Sequence, residues 1–297
     1  MGKTPVLEIK GLTKYYGKLA AVDDLNLKVE RGMVYGLLGP NGSGKTTTLS
    51  SALGLIRINS GEVRWFGQAN SAKIRRRIGC LIEYPVFYPY LTLNDNLKII
   101  TRAKRVSDQC INRVLGLTKL LDRKHSKFKH LSSGLKQRMA LAAVLAGDPE
   151  VLILDEPTKG LDPEGFSDLR EIINDQTKQG KTIVMASHIL DEVEKVCTHV
   201  GILKEGKLIQ EGQVKDILTD KEVVIVAGED LQTIGEKLSE SDLVEDYEMF
   251  KDEIRVVLRK NYKSNDLNNY LLKHGVVLSK LEMLKNRLET EFLELIK

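Results

Sequence analysis

Residues 39–47 read GPNGSGKTT, and this stretch constrains the fold more than any other. It fits the pattern G-x-x-x-x-G-K-[ST], with Gly39, Gly44, Lys45 and Thr46 at the fixed positions. Pro40, Asn41, Gly42 and Ser43 fill the loop, and Thr47 follows it. The run 33–38 (MVYGLL) is short and apolar, which predicts a buried strand. Residues 46–55 lack proline and carry apolar side chains at helical spacing, which predicts a helix. Glycines let backbone N–H groups approach a polyphosphate, and a helix N-terminus adds favourable partial positive charge. In that setting Lys45 is placed to reach β- and γ-phosphates, and the Thr46 hydroxyl to hold Mg²⁺. A plain glycine-rich turn is the competing reading. The strand–turn–helix context favours nucleotide binding.

Residues 151–156 read VLILDE, four apolar residues running into two carboxylates. This predicts a buried strand delivering Asp155 and Glu156 to the sheet edge where parallel α/β proteins bind ligands. Asp155 would orient a Mg²⁺ sphere, and Glu156 would position or activate an attacking water. Between loop and strand, residues 131–138 (LSSGLKQR) place Ser132, Ser133 and Gly134 at a predicted helix start. Free N–H groups there suit a phosphate, while an ordinary N-cap is the alternative. Downstream come Pro157, Thr158 and then Gly160-Leu161-Asp162. Another strand-like run, 182–186 (TIVMA), leads to Ser187 and His188. His188 is expected at the same sheet edge as Glu156, where it could sense a γ-phosphate. A purely structural histidine is the other reading.

Composition closes off several classes. A net charge of +4 over 297 residues is too small to argue for nucleic acid or an anionic membrane. Cys80, Cys110 and Cys197 have no metal-like or redox spacing and suit a reducing compartment. No run approaches the roughly 18 apolar residues of a membrane span. The N-terminus shows no signal-peptide pattern, and Val6 stands where myristoylation needs Ser or Thr. The expectation is a cytosolic protein.

Taken together, these motifs resemble the ATP-binding subunits of ABC transporters over roughly residues 6–218. By resemblance, GPNGSGKTT is Walker A, LSSGL the signature, VLILDE Walker B, Gly160-Leu161-Asp162 the D-loop and His188 the switch histidine. Tyr16, before Gly17, matches the aromatic residue that stacks on adenine; Tyr15 is the competing candidate. The resemblance implies a P-loop ATPase of α/β class with a helical signature subdomain, binding ATP and Mg²⁺. It also implies a dimer, homodimeric or with a paralogous ATPase. Each ATP would lie between one subunit's Walker A and the other's signature.

Two departures stand out. The usual signature is LSGGQ, and this chain has Ser133 and Leu135 where Gly and Gln stand. The strand-like run 78–82 (IGCLI) leads to Glu83, where the family usually carries the Q-loop glutamine. The stretch LIEYPVFYPYLT is similar to the bacitracin and lantibiotic exporter subset, known for a glutamate here. That likeness makes Glu83 a candidate catalytic and metal residue; an ordinary surface charge in a shifted alignment is the alternative. Residues 83–97, rich in Tyr and Pro, are the expected contact with separate transmembrane subunits.

Composition shifts near residue 220. From 221 onward 12 Lys/Arg stand against 16 Asp/Glu, net −4, which leaves +8 for the rest. The expected domains are therefore 1–220 and 221–297. The tail predicts strand (222–226), helix (231–239), strands (243–249 and 253–258), helix (265–274), strand (276–281) and a final helix (285–296). This βαββαβ order suggests a small ferredoxin-like α+β domain with an accessory role. The reading that follows is a peripheral ATPase of a drug or antimicrobial-peptide exporter, on the inner membrane face through its permease. The alternative is an ABC-type ATPase acting in translation, repair or assembly. A non-hydrolysing scaffold is disfavoured by Glu156 and His188.

Overall fold

The computed structural model describes residues 4–83, 86–217, 222–259 and 261–284. The chain divides into two compact units, Met1–Gln213 and Val214–Lys297. The expected boundary at 220/221 falls outside the described residues, as does the expected helix at 285–296.

The first unit opens with β1 (Leu7–Tyr16), β2 (Leu19–Val29), β3 (Val34–Leu38) and α1 (Lys45–Leu53). Next come β4 (Ser60–Trp65), β5 (Gln68–Ala69), α2 (Ala72–Arg75) and β6 (Ile78–Leu81). Three helices follow: α3 (Leu93–Lys104), α4 (Cys110–Leu117) and α5 (Ser133–Leu145). It closes with β7 (Val151–Asp155), α6 (Pro163–Lys178), β8 (Thr182–Ser187), α7 (Leu190–Val196), β9 (His199–Lys204) and β10 (Lys207–Gln213).

Two sheets form. One runs β2-β1-β4-β5, and its neighbouring strands are antiparallel. The other runs β10-β9-β3-β8-β7-β6, parallel except for β10. In β3, β7 and β8 every residue is buried, as expected for central parallel strands covered on both faces. Between the sheets Trp65 is wholly buried, and its indole N–H donates to Ala52 O at 2.7 Å.

Register positions the site. Leu38 of β3 pairs with Ser187 of β8, and Ala186 pairs with Asp155 of β7. Leu154 in turn pairs with Leu81 of β6. The four strands therefore end within two residues of one another, and Gly39, Glu83, Glu156 and His188, which lie one or two residues beyond them, emerge on one edge. On its other side β6 meets α5 closely: a Cβ on Gly79 would lie 2.4 Å from Val144 O. Only glycine fits there.

The second unit contains α8 (Val214–Ile217), β11 (Val223–Gly228), α9 (Leu231–Ser239), β12 (Val244–Met249), β13 (Ile254–Leu258), α10 (Ser264–Lys273) and β14 (Leu278–Leu284). Its sheet order is β12-β13-β11-β14, with antiparallel neighbours throughout. Val224, Val226, Ile254 and Val256 bury one sheet face against Ile234 and Leu238 of α9 and Leu267 and Leu271 of α10. The last strand starts two residues later than the pattern predicts. Gly275 takes φ 80°, its N–H donates to Leu272 O, and that of Val276 donates to Leu271 O. This is a Schellman cap, which commits Val276 to the end of α10.

Candidate nucleotide site

The phosphate loop is shaped by what its glycines avoid. A Cβ on Gly39 would lie 2.3 Å from Ser43 Oγ and 2.4 Å from Leu203 O. Gly44 has φ 102°, and its Cβ would sit 2.3 Å from Ala21 O. Gly44 caps α1, whose first turn carries no acidic residue to repel an anion. The first N–H groups of that helix are therefore available to an anion.

Lys45 is buried and turned back on the loop, donating to Gly39 O at 2.8 Å and Pro40 O at 3.2 Å. Its Nζ lies 3.8 Å from Glu156 Oε1. Burial pulls the ammonium below its usual pKa, against the opposing pull of Glu156 and Asp155. The group is held where bare protein suits it poorly and an added anion would suit it well.

Thr46 Oγ1 donates to Asp155 Oδ2 at 2.7 Å. The other carboxylate oxygen, Asp155 Oδ1, is buried without a hydrogen-bond partner. Burial is the main cause raising the Asp155 pKa; the Thr46 bond opposes it, while Glu156 and Glu83 add to it. A hydroxyl, an orphaned carboxylate oxygen and a further carboxylate form an all-oxygen donor set that fits Mg²⁺. Among the described residues no His, Cys, Asp and Glu cluster could hold a metal unaided.

Glu156 Oε2 lies 2.7 Å from His188 Nδ1, and the Glu156 N–H donates to Ala186 O. Glu156 and Glu83 have φ of 46° and 56°. Non-glycine residues seldom adopt this left-handed region, and such strain clusters at functional sites.

Two cavities collect these groups. One of about 450 Å³ is lined by Thr46, Glu83, Gln137, Asp155, Glu156 and Lys159. Another of about 330 Å³ runs from Tyr16 along Asn41, Gly42, Gly44 and Lys45 to Thr46, Thr47 and Glu156. Tyr16 is half exposed at one end of this trough, with Lys14 Nζ 5.0 Å over its ring. Tyr15 does not line it, because successive strand side chains face opposite ways. Ser43 is buried with an orphaned hydroxyl.

The signature residues lie elsewhere. Ser132 caps α5 by accepting from Leu135 N at 3.4 Å, and Ser133 and Gly134 begin the helix. Asp162 caps α6 through Gly165 N at 2.9 Å. Neither group lines the two cavities, so one chain alone does not bring all the expected residues together. Sequence reasoning missed Gln137 and Lys159. Gln137 is buried and donates to Pro157 O at 2.9 Å, tying α5 to the segment after Glu156. Its place on the helix next to the signature was the available signal. Lys159 gave none beyond its closeness to Glu156.

Known proteins are similar to this chain in sequence and fold. Residues 22–159 match the family model described as ABC transporter. The bacitracin transport ATP-binding protein of Bacillus licheniformis is 37% identical, covering 98% of this chain and 97% of that protein. The lantibiotic transport ATP-binding protein of Streptococcus pyogenes is 41% identical over 69% of this chain and 90% of its own length. A solved ATP-binding subunit of an ABC transporter superposes with TM-score 0.66 at 32% identity, over 71% of this chain and 91% of that one. Matched over nearly its whole length by such a relative, the chain belongs to the ATP-binding, ATP-hydrolysing subunits of ABC transporters.

Proposed function

We propose that this subunit drives an exporter of drug or antimicrobial-peptide type. The carrying observation is the convergence of Lys45, the Thr46–Asp155 bond and the Glu156–His188 pair on adjoining cavities. The two relatives described above are named for bacitracin and lantibiotic transport, so a role outside transport is not favoured.

Tyr16 stacks on the adenine, and residues 39–47 wrap the phosphates. Thr46 and Asp155, with Glu83 nearby, would hold Mg²⁺, whose chemistry there would be neutralisation of phosphate charge. Lys45 exchanges the carbonyls of Gly39 and Pro40 for phosphate oxygens. Glu156 takes a proton from, or orients, the attacking water, and His188 steadies its carboxylate. Ser132, Ser133, Gly134 and Asp162 act on the nucleotide of a second copy, a homodimer partner or a paralogue. Closure and reopening of that pair move a separate permease, which holds the subunit at the inner membrane face. Among the described residues no helix is long and apolar enough to cross a membrane.

The βαββαβ order and β12-β13-β11-β14 sheet support a ferredoxin-like accessory domain. A chain ending at residue 220 is expected to fold and to keep ATP affinity within about twofold. Thermal unfolding with and without ATP checks this; a soluble fragment without an ATP-induced shift would reject independent domains.

Glu83 tests the exporter reading. It presents an anion where the wider family usually carries an amide, and its balance depends on attraction to a cation and repulsion from phosphate. Glu83→Gln is expected to leave fold and ATP affinity intact while altering hydrolysis and impairing cellular resistance. Glu83→Ala should do worse, because it removes metal or water contact altogether. ATPase rate and resistance are measured together in cells that also make the permease. Agreement of all three proteins would make Glu83 a surface charge with no part in catalysis or coupling, and the exporter-subset reading would lose its strongest support.

A further inference from the structure

Outside both cavities, an ion triad built on a buried carboxylate joins three separate stretches of chain, with Arg138 partly buried and Lys119 exposed. Asp168, on α6, is 7% exposed. Arg138 of α5 places Nη2 2.6 Å from Asp168 Oδ2, off the line of a good hydrogen bond, so the contact is an ion pair. Lys119, just beyond α4, donates to Asp168 Oδ1 at 2.5 Å. Arg138 also reaches Glu164 in the first turn of α6, at 3.8 Å. The neighbouring Gln137 anchors α5 to Pro157 O.

The position of the triad matters more than its strength. Ser132 caps α5 and Arg138 lies six residues on; Asp162 caps α6 and Asp168 lies six residues on. At 1.5 Å per residue, each cap sits about 9 Å along its helix from the bridge. Whatever angle the axes make, the two caps are held at equal arm's length from one fixed point. A buried carboxylate facing two cations does not slide as an apolar contact can, because misalignment leaves charge unpaired.

We infer that the Arg138–Asp168–Lys119 triad is a latch that presents Ser132–Gly134 and Asp162 as one rigid surface to the nucleotide of a second copy. The inference rests on the two-copy reading above. These are positioning residues; none of them lines a nucleotide cavity. Breaking the latch loosens the presented surface and leaves the chain's own ATP-binding loop untouched.

The test uses the full chain carrying Glu156→Gln, which holds ATP without turnover. Sedimentation equilibrium reads the ATP-dependent dimer, and equilibrium binding reads ATP affinity of dilute monomer. Adding Asp168→Asn is expected to weaken the dimer by about tenfold while monomer affinity stays within about twofold. Arg138→Lys, which keeps the charge on a compact ammonium in place of the guanidinium, should fall between. Lys119→Met leaves Arg138 on Asp168 and is expected to cost about threefold, and it decides alone should Asp168→Asn fail to fold. Folded variants that dimerise like their background overturn the latch. A Glu156→Gln chain that stays monomeric in ATP overturns the two-copy reading instead, and the latch with it.

Discussion

Glu156→Gln is expected to bind ATP like the unaltered chain and to lose turnover by about 10²–10⁴-fold, the usual effect of removing a positioned base. Nucleotide binding survives because the substitution spares the loop. Lys45 keeps its bonds to Gly39 and Pro40, and Thr46 keeps Asp155. The amide matches the carboxylate in shape and can still meet His188 Nδ1, now 2.7 Å from Glu156 Oε2. It cannot accept a proton from water at neutral pH. With hydrolysis stopped, the ATP-bound pair has no route to reopening, and size-exclusion chromatography should show a dimer in ATP and a monomer without it. Phosphate release at saturating ATP is the deciding measurement. Turnover near that of the unaltered chain would transfer the role of base to another group, with Glu83 the nearest candidate in the same cavity.

The sequence exposed what lies close together along the chain. Within nine residues, GPNGSGKTT carries both its chemistry and its fold, because glycine, lysine and threonine are needed at fixed spacing. VLILDE was legible for the same reason: a doubly buried strand is an apolar run, and carboxylates at its end must face a ligand or water. Pairing across long separations was not legible. Thr46 and Asp155 are 109 positions apart, and only strand register brings them to 2.7 Å. The choice between Tyr16 and Tyr15 turned on which face of β1 meets the loop, which composition does not encode. Glu83 could be placed by its strand, but its left-handed backbone could not. The latch was invisible, since Lys119, Arg138 and Asp168 read as ordinary surface charges until three helical regions converge. In the second unit the order of elements was readable, whereas the start of β14 depended on a helix cap that claimed Val276.

Lys45→Ala should separate stability from binding more sharply than any other change. The ammonium is buried, and burial dominates its lowered pKa even with Glu156 3.8 Å away. Deleting it relieves that burial cost but leaves Gly39 O and Pro40 O without their donor, so the unfolding midpoint without nucleotide should move little. ATP binding should weaken by about 10- to 100-fold, the worth of charge-assisted bonds to the β- and γ-phosphates. For the unaltered chain, ATP at a hundred times its Kd adds about 2.7 kcal/mol. That corresponds to a rise of roughly 5–10 °C in Tm for a domain of this size. In Lys45→Ala about half or more of that rise should vanish at the same ATP concentration. AMP lacks the charge the ammonium faces, so its smaller shift should be nearly the same in both proteins. Thermal unfolding of both chains with no nucleotide, ATP and AMP decides the matter. Equal losses for ATP and AMP, with a lower midpoint in bare protein, would mean that Lys45 supports the loop's fold and not the terminal phosphates.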